Sequence, residues 1–159
     1  MRVFAPYDRS GVATAGVVAH RSGSCFTASI TVSAATAYRC FAANLLLDPC
    51  FAVPGSKHLL DCYNDPWSHA TRLRVNRLPK PSSAITISRP WALSLADGSH
   101  CVVTNGTAPI VRHIALGYQC RGGMAGLVGP AHAHLLRVLY RSIDGLVRTV
   151  GVTTAWQAR

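Results

Sequence analysis

Six cysteines, six aspartates, seven histidines and sixteen basic residues are the groups in this 159-residue chain whose chemistry could make a site. A thiolate would be a nucleophile, paired carboxylates an acid and a base, closely spaced imidazoles a metal set, and clustered guanidiniums an anion cradle. Cys25 in Gly23-Ser24-Cys25-Phe26 and Cys101 in Ser99-His100-Cys101 are the nucleophile candidates, with a histidine such as His100 as base. Asp48 and Asp65 form the candidate carboxylate pair. Each precedes a proline, which disfavours helix for the aspartate, while the side chain closes turns. Both are therefore expected as chain reversals that aim Cys50-Phe51 and Trp67 inward. His132-Ala133-His134 could put two imidazoles on one strand face, with His113 or His100 as a third ligand. Beside the Gly129-Pro130 turn, exposed or packed histidines are the expectation, so no metal centre and no cofactor are expected.

Gly23-Ser24-Cys25-Phe26 resembles the nucleophile segment of papain-like peptidases, where the thiolate sits at a helix N-terminus. Ser22 stands where that family has cysteine, the residues after Cys25 alternate like a strand, and no histidine and asparagine complete the set. Ser99-His100-Cys101 is similar to the serine, histidine and cysteine cluster of the L,D-transpeptidases. Those enzymes carry glycine before the cysteine and an arginine nearby, where this chain has His100 and Val102-Val103. A cysteine-dependent cell-wall hydrolase or transpeptidase is thus the alternative, and a non-catalytic module the leading reading.

The cysteines stand singly at 25, 40, 50, 62, 101 and 120 with no C-x-x-C, which argues for disulfides over zinc and for an oxidising compartment. Residues 1–20 show no continuous apolar core or cleavage site, so no signal peptide is visible. A mature or N-terminally truncated reading frame would reconcile the two. No apolar run approaches the length of a membrane span. Asn105-Gly106-Thr107 has the form of a glycosylation acceptor and reads as a loop.

Fourteen arginines, two lysines and six aspartates without a glutamate give a net charge of +10, and such a surface attracts polyanions whatever the fold. The expected partner is an acidic polymer or an envelope component. Base-stacking aromatics are not interleaved with the arginines, so sequence-specific nucleic-acid binding is not expected. The candidate anion-binding residues are Arg72 and Arg74, on one face of an alternating run, and Arg137, Arg141 and Arg148. An Asp144-Gly145 turn would set Arg141 opposite Arg148. Like charges so placed either splay into solvent or hold an anion between them.

These groups must be positioned by a fold. Hydrophobic content of 49% with 14% charged residues describes a globular core, and the length suits one domain. Residues 1–22 show no clear period and read as a poorly ordered lead-in, leaving 23–159 as a single domain. Three cysteines and both Asp-Pro pairs fall within 40–67, which reads as a covalent hub. Residues 25–32 alternate, predicting a half-buried strand with Phe26, Ala28, Ile30 and Val32 on one face. Ser33 can then cap a helix through Leu46, striped by Tyr38, Phe41, Ala42 and Leu45. Alternation returns with Leu73 and Val75 inward and Arg72, Arg74 and Asn76 outward. The remainder predicts an antiparallel meander turning at Asp97-Gly98, Gly122-Gly123, Gly129-Pro130 and Asp144-Gly145, its last hairpin pairing 134–141 with 146–156. A two-residue Asp97-Gly98 turn would set Ser94 opposite Cys101. The expected fold is α+β: one N-terminal helix packed on a mostly antiparallel β meander, disulfide-stapled.

Gly23-Ser24-Cys25, Ala37-Tyr38-Arg39-Cys40, Asp48-Pro49-Cys50-Phe51, Cys62 with Asp65-Pro66-Trp67, Pro90-Trp91-Ala92-Leu93, Tyr118-Gln119-Cys120 and Ala155-Trp156 occur in this order. The series resembles the landmarks of an uncharacterised group of secreted actinobacterial six-cysteine proteins over about residues 23–157. The resemblance implies an exported, disulfide-bonded domain, extracellular or in the cell envelope, with no established activity and no functional residues to transfer. Leu136 stands where that pattern has an aromatic. Six cysteines allow many pairings. The meander favours Cys101 with Cys120, the hub favours Cys50 with Cys62, and Cys25 with Cys40 then remains; a bridge from Cys40 to Cys50 or Cys62 would mean a different hub.

Overall fold

The structure, a computed structural model, describes residues 1–79, 87–129 and 135–158. Among these are fourteen β-strands and no helix, and the chain divides into two compact units, made mainly of Val3–Ile87 and of Ser88–Gln157. The α+β expectation is corrected: the described chain is all β.

After β1 (Arg2–Phe4), the first unit forms a closed barrel of β2 (Val17–Ala28), β3 (Ala37–Ala42), β4 (Leu45–Ala52), β5 (Leu59–Cys62) and β6 (Ala70–Val75). Neighbouring strands are antiparallel until the barrel closes. There β6 runs parallel to β2, with His20 beside Arg72 and Ser22 beside Arg74. The segment expected as a helix is a loop followed by β3 and the start of β4. Tyr38, Cys40 and Ala42 are buried and Phe41 is exposed, a period of two. Apolar residues occupy both faces of β3, and a run apolar on both faces also matches a helical stripe at some positions. Non-local pairing decides between them, because Cys40 lies directly opposite Cys25 on β2.

That pairing also decides which face of β2 is buried. Cys25 packs against the barrel core of Tyr38, Cys40, Leu47, Leu60 and Leu73, and Phe26 stands outside. The strand begins at Val17, so part of the segment read as a lead-in supplies one side of the closing pair. Its earlier part covers the outer face of β4 and β5. The Phe4 ring lies 5.0 Å from that of Tyr63 and 6.3 Å from that of Phe51. Tyr7 donates its hydroxyl to the Phe51 carbonyl at 2.9 Å, and Tyr63 donates to the Pro6 carbonyl at 3.1 Å. This outer layer explains why Phe51, Asp61 and Tyr63 are buried while Leu60 fills the barrel interior. Asp48-Pro49 is not the expected reversal; it lies inside β4 with a cis peptide bond. Asp65 does close a turn, its Oδ1 accepting from the amides of Trp67 (2.8 Å) and Ser68 (2.6 Å), and Trp67 is partly exposed.

The second unit holds β7 (Ala92–Leu95), β8 (His100–Val103), β9 (Ile110–Val111), β10 (Ile114–Ala115), β11 (Tyr118–Cys120), β12 (Gly123–Val128), β13 (Arg137–Ser142) and β14 (Val147–Ala158). Its sheet runs β7-β8-β11-β12-β13-β14 and closes through an antiparallel β14–β7 pairing, with β9 and β10 as a separate ribbon. Leu93, not Ser94, lies opposite Cys101, which therefore points into the core with Leu93, Tyr118, Val138 and Tyr140.

Cys25 is bonded to Cys40, Cys50 to Cys62 and Cys101 to Cys120, each pair directly opposed on adjacent antiparallel strands. Closing loops of 15, 12 and 19 residues, each is worth about 3 kcal/mol in the chain-entropy picture. Such bonds persist in an oxidising environment.

Candidate functional site

All six cysteines are paired, so in this state neither Cys25 nor Cys101 carries the thiol that a nucleophile requires. His132 and His134 lie outside the described residues. Among the described residues no three histidine, cysteine or carboxylate side chains converge as a metal set, and His113 sits in the β9–β10 turn. The two candidate carboxylates have separate partners. Asp48 accepts from the hydroxyls of Ser29 and Thr31 and from the Ile30 amide, with Arg39 Nε 3.8 Å away. Burial pushes its pKa up in spite of these donors. Asp65 closes its own turn.

The two arginine groups come out differently. In the second unit Arg148 lies opposite Tyr140, while Arg141 lies opposite Val147, so the expected facing of Arg141 and Arg148 does not occur. Arg148 Nη2 sits 2.7 Å from Asp97 Oδ2, and its guanidinium lies 5.2 Å from the Tyr140 ring. Arg137 lies opposite Gly151. Arg141 lines a hollow of about 290 Å³ with Leu116, Gln119, Met124 and Ile143, and it is the sole charged residue there among the described ones.

In the first unit Arg72 and Arg74 come together with three residues that the sequence reading left in its lead-in. His20, Arg21, Ser22, Leu59, Arg72 and Arg74 line a groove of about 440 Å³. The barrel's parallel closure makes it, because residues some fifty positions apart become lateral neighbours. The groove has two rungs across three strands: His20, Arg72 and Asp61, then Ser22, Arg74 and Leu59. Asp61 is completely buried and accepts from Arg72 Nε at 2.8 Å and Nη2 at 2.9 Å. This two-pronged bond, foremost among the causes, raises the Arg72 pKa. It also fixes the guanidinium, since a fork on a carboxylate has one geometry. Burial comes first, and the Asp61 charge adds to it, in pushing the Tyr63 pKa up to about 12 and that of Tyr7 higher still. Three guanidiniums against one carboxylate leave an excess of two positive charges before His20 is counted.

Sequence reasoning missed His20, Arg21, Ser22 and Asp61. The exposure of β2 alternates outside Arg21, but Arg21 itself breaks the rhythm, and no local pattern says which strand closes a barrel. Asp61 sits in an apolar stretch where a buried carboxylate requires a partner, and Arg72 and Arg74 were the nearest arginines on offer.

The described chain is thus two closed β-barrels, one bearing a basic groove and both stapled through their cores. No protein-family profile, curated protein or solved structure matches the chain. Among the described residues no helix is long and apolar enough to cross a membrane.

Proposed function

We propose that this chain is an exported, non-catalytic binding module of the cell envelope or extracellular space that holds an acidic polymer in the groove between β2 and β6. The observation that carries the reading is the excess of positive charge in that groove, around an arginine fixed by a buried aspartate. Three disulfides support the oxidising compartment, and the sequence resemblance to secreted six-cysteine proteins agrees with it. Arg21 and Arg74 are exposed and suited to meet an anion, whereas Arg72, two residues before Arg74 on β6, supplies a charge fixed by Asp61.

The test is positional. Affinities for polyglutamate, a polyuronate and inorganic polyphosphate are measured over a range of salt for the native chain, for Arg21→Ala with Arg74→Ala, and for Arg9→Ala with Arg137→Ala. The groove pair should lower the slope of log affinity against log salt by about two for at least one polymer, one for each lost ionic contact. The charge-matched control pair should change it far less. Equal losses from both pairs for every polymer would reduce the site to generic surface charge.

A further inference from the structure

Beyond Ser22 the outer row of β2 continues through Ser24 to Phe26. Even-numbered residues from Val18 to Phe26 are exposed, and their odd-numbered neighbours are more covered except at Arg21. On the far side of that row, Ser24 lies opposite Phe41 of β3. Phe26 and Phe41 are both close to half exposed, at 48% and 45%, although each is a large apolar ring. They stack on each other at 5.0 Å with 19° between their planes, and the Arg39 guanidinium lies 5.9 Å from the centre of Phe26. One strand therefore carries a basic groove at one end, two hydroxyls in the middle and an exposed aromatic pair at the other. From His20 to Phe26 is six strand steps, or about 20 Å.

We infer that the occupant of the groove is an acidic glycan chain laid along β2. This deepens the reading above and rests on it. Its anionic groups meet Arg21 and Arg74 beside the fixed charge of Arg72, its hydroxyls meet Ser22 and Ser24, and the C–H face of one sugar ring packs on Phe41. Each part of the row matches one chemical feature of such a chain, and 20 Å is the length of an oligosaccharide rather than of a single sugar. A polyanion without rings leaves the aromatic pair unexplained. A single-stranded nucleic acid needs open ring faces for successive bases. Here one face of each phenylalanine is against the other, and Arg39 lies over Phe26.

The experiment compares an oligouronate of five or six residues with polyglutamate of matched charge and with oligo(dT). The variants are Phe41→Ala, Phe41→Trp, and Arg21→Ala with Arg74→Ala, each checked for native circular dichroism. Phe41→Ala should weaken oligouronate binding about tenfold, the order of one ring contact, with an unchanged salt slope. It should leave polyglutamate binding unaltered, and Phe41→Trp should restore the loss. Oligouronate binding indifferent to Phe41, or a loss shared equally with polyglutamate, overturns the glycan assignment while the groove reading stands. Tighter, Phe41-dependent binding of oligo(dT) overturns it in favour of nucleic acid. If the arginine pair has no effect on any polymer, groove and glycan fall together.

Discussion

The two barrels carry similar numbers of arginines and use them in opposite ways. The first closes through parallel strands, which set His20 and Ser22 beside Arg72 and Arg74 with one buried carboxylate among them. The second closes antiparallel, and its arginines are dispersed: Arg148 is held by Asp97 and Tyr140, Arg137 lies opposite a glycine, and Arg141 lines a hollow with no other charged residue among the described ones. Arginine density along the chain therefore does not make a basic groove. What makes one is the residue that topology sets in the neighbouring strand.

The largest contrast should come from two strand glycines. A Cβ on Gly23 would meet the Phe41 carbonyl oxygen at 2.0 Å, where β2 is held between β3 and β6. On Gly151 it would meet only the Ala96 methyl at 3.8 Å. Gly23→Ala should cost on the order of 4 kcal/mol, and Gly151→Ala should lie within about 1 kcal/mol of native, as read by urea unfolding. A mild Gly23→Ala would mean the barrel closure is looser than described.

Arginine removal should separate next. Arg72→Ala leaves Asp61 buried without its counter-charge and should cost about 3 kcal/mol. Arg148→Ala breaks a half-exposed pair worth about 0.2–1 kcal/mol, and Arg74→Ala should stay within about 0.5 kcal/mol. Similar costs for Arg72 and Arg148 would erase the distinction between a fixed cation and a surface one.

The smallest contrast is in acid. Burial raises the Asp48 pKa in the first barrel, so its folded form favours the protonated carboxyl. That contribution is full below the ordinary 3.8 and is lost as pH rises through the folded value. In the second barrel, burial works against Asp97, but hydrogen bonds from Ser99 and the Arg148 charge hold its pKa below 3.8. Its contribution is present above 3.8 and is lost as pH falls through the folded value. Asp48→Asn should therefore remove a stabilising response to mild acid, and Asp97→Asn a destabilising one. Thermal unfolding from neutral pH down to about pH 3 reads both.

Much of the strand content was legible in the residues. Leu73 and Val75 alternate with Arg72 and Arg74 as the barrel wall requires, and the turn signals of the later half mark a meander. The helix was misread because Tyr38, Phe41, Ala42 and Leu45 fit a helical stripe as well as they fit two strands, and only the pairing of Cys40 with Cys25 chooses. Which face of β2 is buried was not legible for a related reason: alternation separates Cys25 from Phe26 without saying which points inward, and it is the cross-strand cystine that fills the core. Half of the groove was visible in Arg72 and Arg74. The other half, His20 to Ser22, joins them only through a parallel closure between segments some fifty residues apart, which local periodicity does not encode.

The most direct test of the groove is an amide-resolved NMR titration of the native protein with an oligouronate at low salt. The account predicts that shifts concentrate in residues 19–26, 39–41, 59–61 and 71–75, saturate together, and leave 137–148 unmoved. Shifts centred on Arg137, Arg141 and Arg148, or spread evenly over every exposed arginine, would contradict it.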